Sequence, residues 1–237
     1  KERRSLALSA KEKETTAYHE AGHALLLELL ENTEPLHKVT IIPRGPSLGS
    51  TMWLPEEDKY NARKKELLDN LVVTMGGRVA EDIVFGDVTS GARGDIKQAT
   101  AIARKMVCEW GMSEKMGMVE YGEHDDYVFL GRDITRSRDY SEATAQEIDA
   151  EVRRLCDTAY AKAKELLLAH RDKLDIVAKA LLEYETLDGS QIRDIIRNGR
   201  MTNPPNPPPS APKSSPPPLQ PQASVDLPPG GLAGAPA

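Results

Sequence analysis

The sequence predicts a mainly α-helical protein, with a small β-sheet beside one marked helix and a helical bundle toward the C-terminus. Three observations point that way. Apolar residues recur at three-and-four spacing through most of residues 11–198, the mark of helices with one buried face. Only two short runs, 36–42 and 50–54, carry clear strand character. And Tyr18-His19-Glu20-Ala21-Gly22-His23 spells H-E-x-x-H inside the first helical stretch.

That stretch covers about residues 11–31, and its start is marked by Ser9 with Glu12 three positions later, a capping box. LHKVTII (36–42) is β-branched and partly alternating, and it ends at Pro43. Residues 44–49 are turn material, and STMWL (50–54) reads as a second strand closed by Pro55, where a proline usually marks a sheet edge. Helical spacing returns over 61–85 through Leu67, Leu71, Met75, Val79 and Ile83. Gly76-Gly77 falls inside it, and because the apolar period continues, the pair predicts a close helix–helix approach rather than a break. A glycine-spaced loop (86–94) leads into a helix from Asp95 to about residue 110. Residues 111–138 read as irregular, with strand-like pieces at 118–121 and 128–130. Three further helices follow at about 141–168, 171–184 and 188–198, the last opened by Asp188 with Gln191.

Composition divides the chain. Of 17 prolines, 13 follow Asn203 in a segment rich in Ser and Gly, which cannot bury enough apolar surface to offset its ordering entropy. We therefore expect a core with the H-E-x-x-H helix and the small sheet over 1–138, a helical subdomain over 139–201 and a disordered Pro-rich tail over 202–237. Lys213 and Asp226 cancel within the tail, so the net charge of -6 belongs to the folded part, with no basic block to suggest nucleic acid. Cys108 and Cys156 form no C-x-x-C pair and read as reduced core cysteines. No apolar run reaches membrane-spanning length, so a soluble chain is expected, and the opening Lys1-Glu2-Arg3-Arg4 suggests a fragment of something longer.

The chemistry lies in the H-E-x-x-H stretch. Residues four apart share a helix face, so His19 and His23 can offer two ring nitrogens to one metal ion. Glu20 lies about 100° round the helix, beside the metal, where it can take a proton from water without ligating. Ala21 and Gly22 let another element approach closely, which offsets the helix penalty of about 1 kcal/mol carried by Gly22. A catalytic zinc takes three protein ligands and keeps one position open. The sequence lacks a third histidine on the same helix, since Leu26 and Leu29 stand where the longer H-E-x-x-H-x-x-G-x-x-H pattern needs Gly and His. Spacing leaves Glu81, Asp82, Asp87 and Asp95 as candidate third ligands, with His37 less suited, and does not choose among them.

HEAGH (19–23), LPEEDKY (54–60), MGGRVAEDIVFG (75–86), TSGARGDIKQAT (89–100) and EYETLDG (183–189), taken in this order, resemble the protease domain of the FtsH family, membrane-anchored ATP-dependent zinc metalloproteases. The resemblance runs from about residue 11 to residue 197. It implies that Asp95, the aspartate of the S-G-A-x-x-D segment, is the third zinc ligand. The family's A-E-E reads Ala80-Glu81-Asp82 here, a conservative departure. Glu81 then either orients a ligand histidine or is an ordinary ion-pairing helix residue.

The resemblance further implies a zinc endopeptidase acting on unfolded or membrane proteins in quality control. In the parent protein it implies a homo-hexamer, an ATPase module and transmembrane segments, at the cytoplasmic face of a bacterial inner membrane or in an organellar membrane. This chain contains no G-x-x-x-x-G-K-[ST] stretch, so ATP would act only through the missing module. The edge strand Gly49, Ser50, Thr51, Met52, Trp53 and Leu54 is the candidate substrate-binding element, pairing with an extended peptide through main-chain hydrogen bonds. The alternative is an ordinary sheet edge. Two rival functions are a stand-alone zinc aminopeptidase and a non-catalytic, metal-stabilised assembly module. The first lacks an obvious acidic cluster for a free N-terminus, and the second leaves Glu20 without a purpose.

Overall fold

The structure is a computed structural model that describes residues 9–43, 48–53, 61–122 and 140–205. Helix α1 (Ala10–Leu29) runs through the middle of the molecule. From Thr16 to Leu27 it is buried on nearly every side, as expected of a helix apolar around most of its circumference. Its start is the capping box read from the sequence: the Glu12 amide donates to Ser9 Oγ at 3.2 Å, and the Ser9 amide donates to Glu12 Oε2 at 2.9 Å.

Strand β1 (Leu36–Thr40) follows, then β2 (Ser50–Trp53), antiparallel to it with Val39 opposite Thr51 and Thr40 opposite Ser50. A third strand, β3 (Thr186–Asp188), pairs antiparallel on the other side of β1, with Val39 opposite Leu187. The order β2-β1-β3 leaves β2 at the edge. The sequence reading missed β3, because three residues between two helices show too little alternation to register. Its pairing is reinforced by the Ile41 amide donating to the Glu185 carbonyl at 2.9 Å and by the Thr40 and Thr186 hydroxyls at 2.8 Å.

Helix α2 (Lys64–Phe85) crosses α1 in the most extensive helix contact of the fold and ends at Gly86, whose φ of 63° caps it in the left-handed region. The crossing point is glycine on both sides. A Cβ on Gly22 would lie 2.4 Å from the Gly76 carbonyl oxygen, and one on Gly76 would lie 2.8 Å from the Gly22 carbonyl oxygen. Only glycine permits that separation, so Gly76-Gly77 marks a close approach, as the unbroken apolar period suggested.

A 3-10 turn (Ser90–Ala92) leads into α3 (Arg93–Cys108), which starts two residues earlier than expected. Residues 118–121, expected to be strand-like, form no strand. The segment is tied instead to the end of α3, where the Tyr121 amide donates to the Cys108 carbonyl at 2.8 Å. Serving that helix-end acceptor takes the Tyr121 amide away from any ladder, and Met118 is 95% exposed. The piece expected at 128–130 lies outside the described residues, as does the Pro-rich tail from residue 206.

The remaining helices are α4 (Glu142–Ala169), α5 (Arg171–Tyr184) and α6 (Gly189–Asn198). They join the core through different partners: α4 lies along α2, α5 along α1, and α6 against β1 and α5. One cluster of buried side chains therefore extends from Ala17 on α1 to Ile195 on α6. Cys108 and Cys156 are both free thiols. No helix among the described residues is long and apolar enough to cross a membrane.

The crossing gives a test. Gly76→Ala should destabilise the fold: overpacking at a backbone contact costs about 1–3 kcal/mol, more than the roughly 1 kcal/mol that Ala gains in helix propensity. The check is the urea midpoint at unchanged slope, compared with Gly94→Ala, whose Cβ meets nothing within 4 Å.

Candidate metal centre

Three side chains from two helices converge on one point. His19 and His23 project from the same face of α1, and Asp95 comes from the first turn of α3. The His19 and His23 Nε2 atoms are 3.2 Å apart, His19 Nε2 is 3.2 Å from Asp95 Oδ2, and His23 Nε2 is 3.7 Å from the same oxygen. Zinc bonds of about 2.0–2.1 Å at a tetrahedral angle would place neighbouring donors about 3.3–3.4 Å apart. Two imidazole nitrogens and one carboxylate oxygen at these separations fit a single zinc ion.

The far side of each ring is also occupied. His23 Nδ1 donates to the Val73 carbonyl at 2.8 Å, which leaves Nε2 with its lone pair toward the shared point. His19 Nδ1 lies 2.8 Å from Glu81 Oε1, and Glu81 is 1% exposed. Glu81 also accepts from the Thr89 amide at 2.6 Å (Oε2) and from the Thr89 hydroxyl at 3.2 Å (Oε1). One carboxylate on α2 thus fixes a ring of α1 and the loop that delivers α3. Gly77 makes room for this arrangement, since a Cβ there would lie 2.4 Å from His19 Nε2.

The electrostatics follow from the geometry. Burial works against a charge on His19, yet the bonds to Asp95 and Glu81 and the nearby Glu20 charge outweigh it and raise its pKa to about 9. Burial likewise opposes ionisation of Asp95, but both imidazoles hold it well below the usual carboxylate range. Glu81 is lowered in spite of burial, by His19 and Thr89.

The other residues considered as ligands go elsewhere. Asp82 accepts from Lys164 Nζ at 2.7 Å and from the Tyr160 hydroxyl at 3.0 Å, joining α2 to α4. Asp87 accepts from the amide of its neighbour Val88, and His37 is exposed on β1. Glu81 turns its carboxylate to the outer nitrogen of His19, away from the shared point. Glu20, buried, extends to the side, where its Oε2 accepts from the Thr51 hydroxyl of β2 at 2.6 Å. The edge-strand candidates Ser50, Thr51, Met52 and Trp53 form β2, with Gly49 directly before it against Glu20, while Leu54 lies outside the described residues. The sequence reading gave no hint of the Val73 carbonyl, because main-chain acceptors leave no residue-type signal. Thr89 was visible only as part of a glycine-spaced loop.

A helix-borne pair of imidazoles, a glutamate between them and a carboxylate from a second helix define the zinc-peptidase class of site. The chain belongs to peptidase family M41, whose pattern it matches over residues 6–195. It is 65% identical over 206 residues to the ATP-dependent zinc metalloprotease FtsH 2 of Methylacidiphilum infernorum, covering 87% of this chain and 32% of that protein. It is 60% identical over 213 residues to the ATP-dependent zinc metalloprotease FtsH of Akkermansia muciniphila, covering 88% and 26%. With the Myxococcus xanthus protein of the same name it shares 53% identity over 207 residues, covering 87% and 32%. The chain therefore spans about a third or less of the length of these relatives.

The raised His19 value sets a pH dependence. To serve as a zinc ligand His19 would have to lose a proton that it holds below about pH 9, so zinc affinity should fall as the pH is lowered from there. His19 alone should contribute about tenfold per pH unit between pH 8.5 and 7, read by competition with a fluorescent chelator. Glu81→Gln removes one of the carboxylates that hold the proton, so the break should move to lower pH.

Proposed function

We propose that this chain is the peptidase portion of an ATP-dependent zinc metalloprotease, in which His19, His23 and Asp95 hold one zinc ion and Glu20 is the general base. The observation that carries this reading is the meeting of His19 Nε2, His23 Nε2 and Asp95 Oδ2 within 4.8 Å of one another, with Glu20 beside them but not among them. Zinc held there would supply Lewis acidity toward a scissile carbonyl and an attacking water.

The chain's own residues do the rest. Two neutral imidazoles and one carboxylate offset only part of a dication's charge, leaving about +1, which favours the oxyanion that develops as the peptide bond is attacked. Glu20 accepts the proton of the water at a carboxylate oxygen and returns it to the leaving amine nitrogen, so the proton balance closes without another acid. Glu81 and the Val73 carbonyl hold the two rings in the tautomer and orientation that ligation needs. Strand β2, paired on one side only among the described residues, is the proposed seat of an extended substrate bound through its main chain, which suits cleavage of many sequences.

The names of the relatives support ATP dependence, and we propose that a nucleotide-driven module of the longer protein delivers unfolded or membrane proteins to this site. A homo-hexameric, membrane-anchored parent protein, with this portion at the cytoplasmic face of a bacterial inner membrane or in an organellar membrane, belongs to the same proposal.

The experiment is a comparison of substitutions with zinc content measured throughout. Glu20→Gln should keep one zinc per chain and lose roughly 10²–10⁴-fold in peptidase turnover, and Asp95→Ala should lose both zinc and turnover. Wild-type turnover by Glu20→Gln would remove Glu20 from the role of base, and full zinc retention by Asp95→Ala would remove Asp95 from the ligand set.

A further inference from the structure

Strand β2 touches the site at Thr51, a contact which the substrate-seat reading leaves unexplained. Thr51 Oγ1 donates to Glu20 Oε2 at 2.6 Å, and the Glu20 main-chain oxygen lies 3.4 Å from the same hydroxyl. An ionised carboxylate can only accept, so the threonine must be the donor, and the separation is that of a short charge-assisted bond. The residue two before it, just ahead of the strand, closes in as well: a Cβ on Gly49 would lie 2.6 Å from Glu20 Oε1 and 2.8 Å from its Cγ. Glutamate is a long side chain with three rotatable bonds, and burial alone does not select one of its rotamers. Here one oxygen is bonded by the edge strand and the other is flanked by the residue that leads into it.

We propose that Thr51 is a positioning residue that acts through Glu20, its hydroxyl holding the carboxylate in the orientation that proton transfer requires. This rests on the reading of Glu20 as the base. The arrangement makes the edge strand serve two ends. A peptide pairing along β2 would order the strand, and with it the hydroxyl that holds the base, so the base is set most firmly when substrate is present.

The test separates a hydroxyl from a filler. In the full chain loaded with zinc, Thr51→Val keeps the volume and removes the donor. It should lower kcat on a quenched fluorescent peptide by roughly tenfold or more, with KM within about twofold and one zinc per chain. Thr51→Ser restores the donor and should recover most of the loss; if the valine variant does not fold, Thr51→Ala against Thr51→Ser makes the same comparison. A second readout is the affinity of a peptide hydroxamate, whose bound form places a proton against the base. Thr51→Val should weaken it several-fold alone and add nothing to Glu20→Gln. Unchanged kcat in the valine variant, a rise in KM without a fall in kcat, or a serine variant as impaired as valine would each overturn the proposal. Full activity in Glu20→Gln would instead overturn the reading of the base on which it rests.

Discussion

The site depends on how closely α1 and α2 can approach. At Gly22 and Gly76 the two backbones meet with no side chain between them, and a methyl group on either glycine would overlap the opposite carbonyl. That contact decides what lies beside the histidines. One turn before it, the α2 backbone exposes the Val73 carbonyl to His23; one residue after it, Gly77 leaves space for the His19 ring; and just over a turn beyond, Glu81 reaches the outer nitrogen of His19. A wider crossing would separate each of these pairs while leaving both helices intact.

Glu81 extends the same logic to the third element. Its two oxygens are shared between His19 and Thr89, the residue before the 3-10 turn that opens into α3. A charge buried to this extent is tolerated only when every lone pair is engaged. The engagement ties the ring on α1 to the loop that brings Asp95 alongside. Asp82, next in sequence, faces a different partner and ties α2 to α4 through Lys164 and Tyr160. Two adjacent acidic residues, about 100° apart round the helix, therefore brace α2 in two directions, one toward His19 and one toward α4.

Much of this could be read from the sequence, and the exceptions have identifiable causes. The helices were legible because their buried faces repeat at helical spacing over several turns, and the starts of α1 and α6 because Ser9 with Glu12 and Asp188 with Gln191 are capping pairs. The close helix contact was legible because the apolar pattern runs on through Gly76-Gly77. Strand β3 was not, since Thr186, Leu187 and Asp188 are ordered by β1, which lies about 150 residues away in sequence, and carry no pattern of their own. Residues 118–121 misled for the opposite reason: their β-branched and aromatic content suggests a strand, but the open carbonyls at the end of α3 claim the Tyr121 amide. Spacing offered four carboxylates with equal claims to complete the imidazole pair. Asp95 is set apart by the resemblance and, in the fold, by the engagement of Asp82, Asp87 and Glu81 with other groups.

The central position of β1 also orders events in time. Its neighbour β2 is made soon after it, but its other neighbour, β3, ends at residue 188. On the ribosome the histidine pair is made well before residues 171–188, so the sheet cannot close and α5 cannot seat along α1 until nearly the whole of the described fold has been synthesised. A copy that stops short of residue 186 thus carries the histidine pair without the third strand that completes the sheet around β1.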